Sequence, residues 1–162
     1  MVKKKVIAFI VFLVLIGVFS VTISLKGFFF TSKFYQEPLS AYNADAPYDP
    51  VYGDTTVNKL IGLFEIASED ALFIGELTND KFLVAEMKIK DKKYAYEGTV
   101  YFYSRSDVFD ENSYNLTETK TGTIKWEVIN NKKDVEKLQN VKTVKEYSMS
   151  DGSPIFLVIL EQ

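Results

Sequence analysis

Two residue types that carry much of enzyme chemistry are missing from this chain: it has no histidine and no cysteine. That excludes Ser-His-Asp and Cys-His nucleophilic catalysis, the H-E-x-x-H zinc site and any Cys/His metal cluster. Glycine-rich phosphate loops, the G-x-S-x-G elbow and S-x-x-K are absent as well. Carboxylate chemistry remains, because a glycosidase needs only two Asp or Glu side chains about 5–10 Å apart. Glu65, Glu69, Asp70, Glu76, Glu86 and Glu97 are available, and Glu76, Glu86 and Glu97 fall in segments that read as strands. A polar residue on a strand's outer face is ordinarily just solvated, so no catalytic residue is assigned and the chain is read as a non-enzyme.

Two other groupings have chemistry in them. The stretch RSDVFDENSYNLTE (105–118) gathers Asp107, Asp110, Glu111 and Asn112, oxygen donors of the kind calcium takes. Their spacing does not match the D-x-[DN]-x-[DN]-G loop, so the stretch is read as a solvated acidic loop, with no metal and no cofactor assigned. Asn115-Leu116-Thr117 within it is a glycosylation sequon.

The second grouping is aromatic. Tyr94, Tyr96, Tyr101 and Tyr103 lie in one strand-like segment, YAYEGTVYFYS. Strict alternation sends the first pair to one face and the second pair to the other. Gly98 lies between them, and a one-residue bulge there would shift the parity and bring all four rings together. Tyrosine couples a broad apolar body to a polar tip, which suits recognition. These four residues are the candidate partner-binding set.

The elements that would position these residues follow from periodicity. ALFIGEL (71–77), KFLVAEMKIK (81–90), the tyrosine segment (94–104) and TIKWEVI (123–129) read as strands. In the second, Leu83, Ala85, Met87 and Ile89 share a face; in the last, Ile124, Trp126 and Val128 point inward while Lys125 and Glu127 point outward. DTTVNKLIGLFEIAS offers Asp54 as an N-cap and Val57, Leu60, Ile61 and Phe64 at helical spacing. It reads as a helix, although LIGLFEI fits a strand equally. A short helix is expected in 130–141, with Asn130 or Asn131 as cap and Val135 and Leu138 inward. TVKEYS and IFLVILE bracket a turn, and IFLVIL (155–160), apolar throughout, should be a central strand covered on both faces.

The amino-terminal part decides location. From Val6 to Leu25 there are 20 residues without a charge, 15 of them Val, Ile, Leu or Phe. A helix of that length spans about 30 Å, the thickness of a bilayer's hydrocarbon core. Lys3, Lys4 and Lys5 precede the run, which places the amino terminus in the cytoplasm and the rest outside. GFFFTSKFY then supplies an aromatic collar. The alternative is a signal peptide cleaved after Ser20. With no cysteine, neither disulfides nor a lipid on an N-terminal cysteine enter. Four of the 19 basic residues precede residue 27, leaving 15 against 22 acidic ones, a formal charge of −7 that disfavours nucleic acid.

The expectation is an α+β chain in three parts. Residues 1–30 form a transmembrane signal anchor, 31–53 a tether and 54–162 a small antiparallel-sheet domain of five or six strands with one or two packed helices. Functionally it reads as a single-pass, membrane-anchored extracytoplasmic domain, a non-enzymatic accessory that binds another envelope or membrane protein. The alternative is a secreted small-ligand carrier or carboxylate-based hydrolase.

Overall fold

Alternation of apolar and polar side chains resolves into two antiparallel sheets laid face to face. The computed structural model describes residues 33–51, 53–77, 81–107, 110 and 113–161. The span Val6–Leu25, the collar at Phe28–Phe30 and the Ser20 site lie outside the described residues. Among those described, no helix is long and apolar enough to cross a membrane. Residues 33–162 make one compact unit.

In chain order the elements are α1 (Pro38–Ala44), β1 (Tyr48–Asp49), β2 (Gly53–Asp54), β3 (Lys59–Ala67), β4 (Asp70–Glu76), β5 (Lys81–Lys90), β6 (Lys93–Ser104), β7 (Asn115–Thr119), β8 (Gly122–Ile129), α2 (Lys132–Val135), β9 (Val141–Ser148) and β10 (Pro154–Leu160). Sheet I is the meander β3-β4-β5-β6, and sheet II has the order β7-β8-β10-β9. β1 and β2 pair as a separate hairpin.

The inner faces share one cluster. Leu72, Ile74, Phe82 and Val84 of sheet I meet Trp126, Leu157 and Ile159 of sheet II. The outer face of sheet I (Phe73, Leu83, Ala85 and Met87) is covered by Ala41 and Tyr42 of α1 and by Val57. The outer face of sheet II (Ile129, Phe156, Val158 and Leu160) is covered by Val135 and Leu138 in and after α2, together with Val141. Both β4 and β10 are therefore buried on both faces, which is why their sequences run apolar without alternation.

The chain is mostly β, with antiparallel sheets and few helices. Two differences separate this from the sequence expectation of one sheet with five or six strands. The first is β3, where a helix was the preferred reading. In β3 two bulges, at Ile61 and Ile66, each insert one residue opposite β4. They break the period of two, so Leu60 and Leu63 face α1 while Ile61, Phe64 and Ile66 face sheet II. A bulged strand with both faces covered thus imitates a helical stripe. The second difference is β7, hidden in the acidic stretch 105–118. It pairs with β8 from Asn115↔Trp126 to Thr119↔Gly122.

The stretch read as a tether is partly folded onto sheet I. Tyr42 is fully buried, stacked on Phe73 with ring centroids 5.4 Å apart. The Asn43 amide bonds both ways with the Val57 backbone, accepting from its N–H and donating to its carbonyl at 2.9 Å each. Tyr35 and Tyr94 exchange backbone hydrogen bonds of 2.7 and 2.8 Å, which adds a bridge at the free edge of β6. The remaining strands, the Asn131 cap on Lys133 and the central place of IFLVIL match the sequence reading.

Candidate functional site

The tyrosine set divides. Opposite Glu86 of β5, strand β6 carries Glu97, Gly98 and Thr99, so the bulge adds two residues rather than one. Two extra residues preserve parity. Gly98 takes the positive φ of 89° that the bulge requires. Tyr94 and Tyr96 consequently face α1, and the Tyr96 ring meets Tyr42 edge-on at 5.1 Å. Burial pushes the Tyr96 phenol up to about 12. Tyr101 and Tyr103 face sheet II, Tyr101 edge-on to Trp126 at 5.0 Å and Tyr103 stacked on Phe82 at 5.1 Å. No single surface contains all four rings.

The strand carboxylates are employed separately. Glu76 accepts from Ser150 N–H at 3.0 Å and from its hydroxyl at 2.6 Å, which holds the β9–β10 turn. Glu86 lies on the inner row of β5. The Thr117 hydroxyl donates to it at 2.6 Å while accepting from the Trp126 indole N–H at 2.9 Å, so the three residues tie the sheets together. Lys88 reaches Asp70 and, at 3.5 Å, Glu97, while Glu69 pairs with Lys120. Buried Asp70 keeps one oxygen, Oδ2, without a hydrogen bond.

A different carboxyl group, not singled out from the sequence, sits in a cleft. β7 stops at Asn115, opposite Trp126, so the edge of β8 beyond Trp126 is left without a strand neighbour on that side. Glu127 folds its carboxylate onto this edge and accepts from the Val128 N–H at 2.8 Å. The end of β6 and the segment after it close the other wall. Asp107 accepts from Ser104 N–H at 2.6 Å, and the Asn130 amide donates to the Arg105 carbonyl at 2.8 Å. The space between is about 250 Å³, lined by Phe82, Tyr103, Asp107, Asp110, Glu127 and Asn130 among others.

Alternation placed Glu127 outward, beside Lys125. In the fold it is only 7% exposed and lines a cleft together with Ser104, Asp107 and Asp110. Desolvation raises its carboxyl from 4.5 to about 7, against the opposing pull of the Val128 N–H. Tyr103, whose hydroxyl accepts from Asn115 Nδ2 at 2.7 Å, has its phenol pushed far up, first by burial and then by nearby Glu127. The same bond occupies the sequon's acceptor nitrogen. Glu111 and Asn112 lie outside the described residues. Among the described residues no group of three carboxylates is arranged to hold a metal ion.

No protein-family model, curated protein or solved structure matches this chain. A carboxyl poised near neutrality, with Asp107 and Asp110 in the same walls, attracts a positively charged hydrogen-bond donor.

Proposed function

We propose that this chain is a single-pass membrane protein whose extracytoplasmic domain, two packed antiparallel sheets with short helices, binds another envelope or membrane protein without catalysing a reaction. The cleft at Glu127 carries the reading. Its walls bring Glu127, Asp107 and Asp110 to one opening, matched to a lysine or arginine side chain presented by the partner. The uncharged run from Val6 to Leu25, preceded by three lysines, supports the membrane tether and its orientation. The hydrolase alternative has less to work with, because Glu76, Glu86 and Glu97 each hold a separate structural bond or ion pair.

The test is zero-length carbodiimide crosslinking of the tagged full chain in membranes, followed by peptide mapping. The expected product joins a partner lysine to Glu127, Asp107 or Asp110. It should disappear in the triple variant Asp107→Asn, Asp110→Asn, Glu127→Gln while the fold, read by circular dichroism, is kept. Undiminished crosslinking in the folded triple variant would move the partner surface elsewhere.

A further inference from the structure

We propose that the tip of the β1–β2 hairpin rests in the headgroup region of the bilayer that anchors the chain, an inference that depends on the membrane tether argued above. The tip presents apolar surface that the fold leaves outside. Tyr48 is 78% and Val51 81% exposed, the two highest values among the large exposed apolar residues described, and Pro50 beside them is exposed as well. In the same short stretch Tyr42 is wholly buried, so the domain has apolar cover to give and withholds it from the tip.

The base of the hairpin is fixed. Thr55 is fully buried, its hydroxyl donates to the Pro47 carbonyl, and the Tyr42 hydroxyl donates to Thr55 at 3.3 Å. The two nearby carboxylates stay at the surface and bond to the local backbone: Asp49 accepts from the Val51 N–H at 2.7 Å, and Asp54 from the Thr56 N–H at 2.9 Å. The result is a hairpin held at its base, with tyrosine, proline and valine exposed toward its tip. Tyrosine favours the bilayer–water boundary, where its ring is apolar and its hydroxyl stays wet.

Tether length points to lipid as the occupant. Seven residues, and so eight Cα–Cα steps, separate Leu25, where the apolar run ends, from Lys33, where the compact unit begins. At about 3.6 Å per residue they span at most about 29 Å. A unit of this size has a radius of gyration of about 14 Å, so it stays within about its own diameter of the membrane. The hairpin follows soon after the attachment point. At such confinement a contact too weak to recruit a free protein is continuously populated. The −7 charge of residues 27–162 sets the lipid preference, with zwitterionic surfaces favoured over anionic ones.

The absence of cysteine makes the test direct. Val51→Cys carries a polarity-sensitive nitrobenzoxadiazole label, and Gln139→Cys, exposed just after α2, carries the same label as reference. Each full chain is reconstituted in phosphatidylcholine vesicles. The expected result is blue-shifted emission at position 51, quenched roughly two-fold or more by spin-labelled lipid, with water-like emission at 139. Retention after an alkaline wash reads the tether separately. A retained chain whose position-51 label emits as in water overturns the hairpin contact and leaves the tether standing. Release on washing overturns both. A shift that tracks the protein-to-lipid ratio instead of the lipid assigns the tip to a second copy of the chain and also overturns the proposal.

Discussion

Glu127 is the residue whose environment departs furthest from its sequence setting. In TIKWEVI it alternates with Trp126 and Val128 and looks solvated; in the fold it is buried beside a cleft that it shares with residues distant in sequence, Ser104, Asp107 and Asp110. No local pattern carries that information. Its titration has a definite consequence for stability. Below about 4.5 the carboxyl is protonated in both folded and unfolded chains. Between 4.5 and about 7 the folded protein keeps the proton that the unfolded chain releases, so stability falls as pH rises through that window and levels off above it. At about 1.4 kcal/mol per pH unit the ceiling is about 3 kcal/mol, and water reaching the cleft lowers this to on the order of 1–2 kcal/mol. Glu127→Gln keeps an acceptor for the Val128 N–H without the charge. In urea titrations it should match the parent at pH 4 and exceed it by on the order of 1–2 kcal/mol at pH 8. Equal stabilities at both pH values would mean that Glu127 titrates normally. On the proposed function, partner capture should have the opposite sign, strengthening with pH as the cleft ionises.

At the scale of elements, most strands were legible because one of their faces is apolar and the other polar, or because both faces are apolar as in IFLVIL. β3 was not, since its two bulges mix the periods, and β7 was not, since NLTET is short and polar. Gly62 shows how misleading local propensity becomes. In a helix it reads as a cost of about 1 kcal/mol, yet in β3 it is a requirement: a Cβ there would run into the Tyr147 ring of β9. Glycine lets the edge strands of the two sheets close on one another. Gly62→Ala should therefore destabilise by about 1–3 kcal/mol, the range for overpacking, although alanine is normally better than glycine in an extended strand. Adding Tyr147→Leu, which draws the ring atoms back, should recover part of the loss. The pair would then be non-additive, as touching residues are, in denaturant titrations of the two single variants and the double. Strict additivity would mean that the contact does not decide the packing of β3.

In the unit of residues 33–162 each sheet is covered on both sides, and the assembly of that unit depends on the last segment of the described chain. β10 lies between β8 and β9, pairing with both along most of its length. Leu157 and Ile159 cover Leu72, Ile74, Phe82 and Val84 of sheet I, while Val158 and Leu160 meet the side chains around α2. Removing residues 157–162 deletes four buried aliphatic side chains and four of the seven pairings that hold β9 to sheet II. At about 1.5–3 kcal/mol per side chain the loss is roughly 6–12 kcal/mol, as large as the total stability of an ordinary domain at about 5–15 kcal/mol. Sheet I does not survive alone on this reasoning, although its meander is built from short-range pairings, because its inner face would be bare to water. The truncated chain should show no cooperative urea transition and should bind a hydrophobic dye. Removal of Glu161 and Gln162 alone should leave the transition in place, although the bond from Glu161 N–H to the Asn140 carbonyl is lost. A cooperative transition in the longer truncation would show that sheet I folds by itself. The two sheets would then be separable units, and the Glu86–Thr117–Trp126 link would join bodies that fold independently instead of completing a single core.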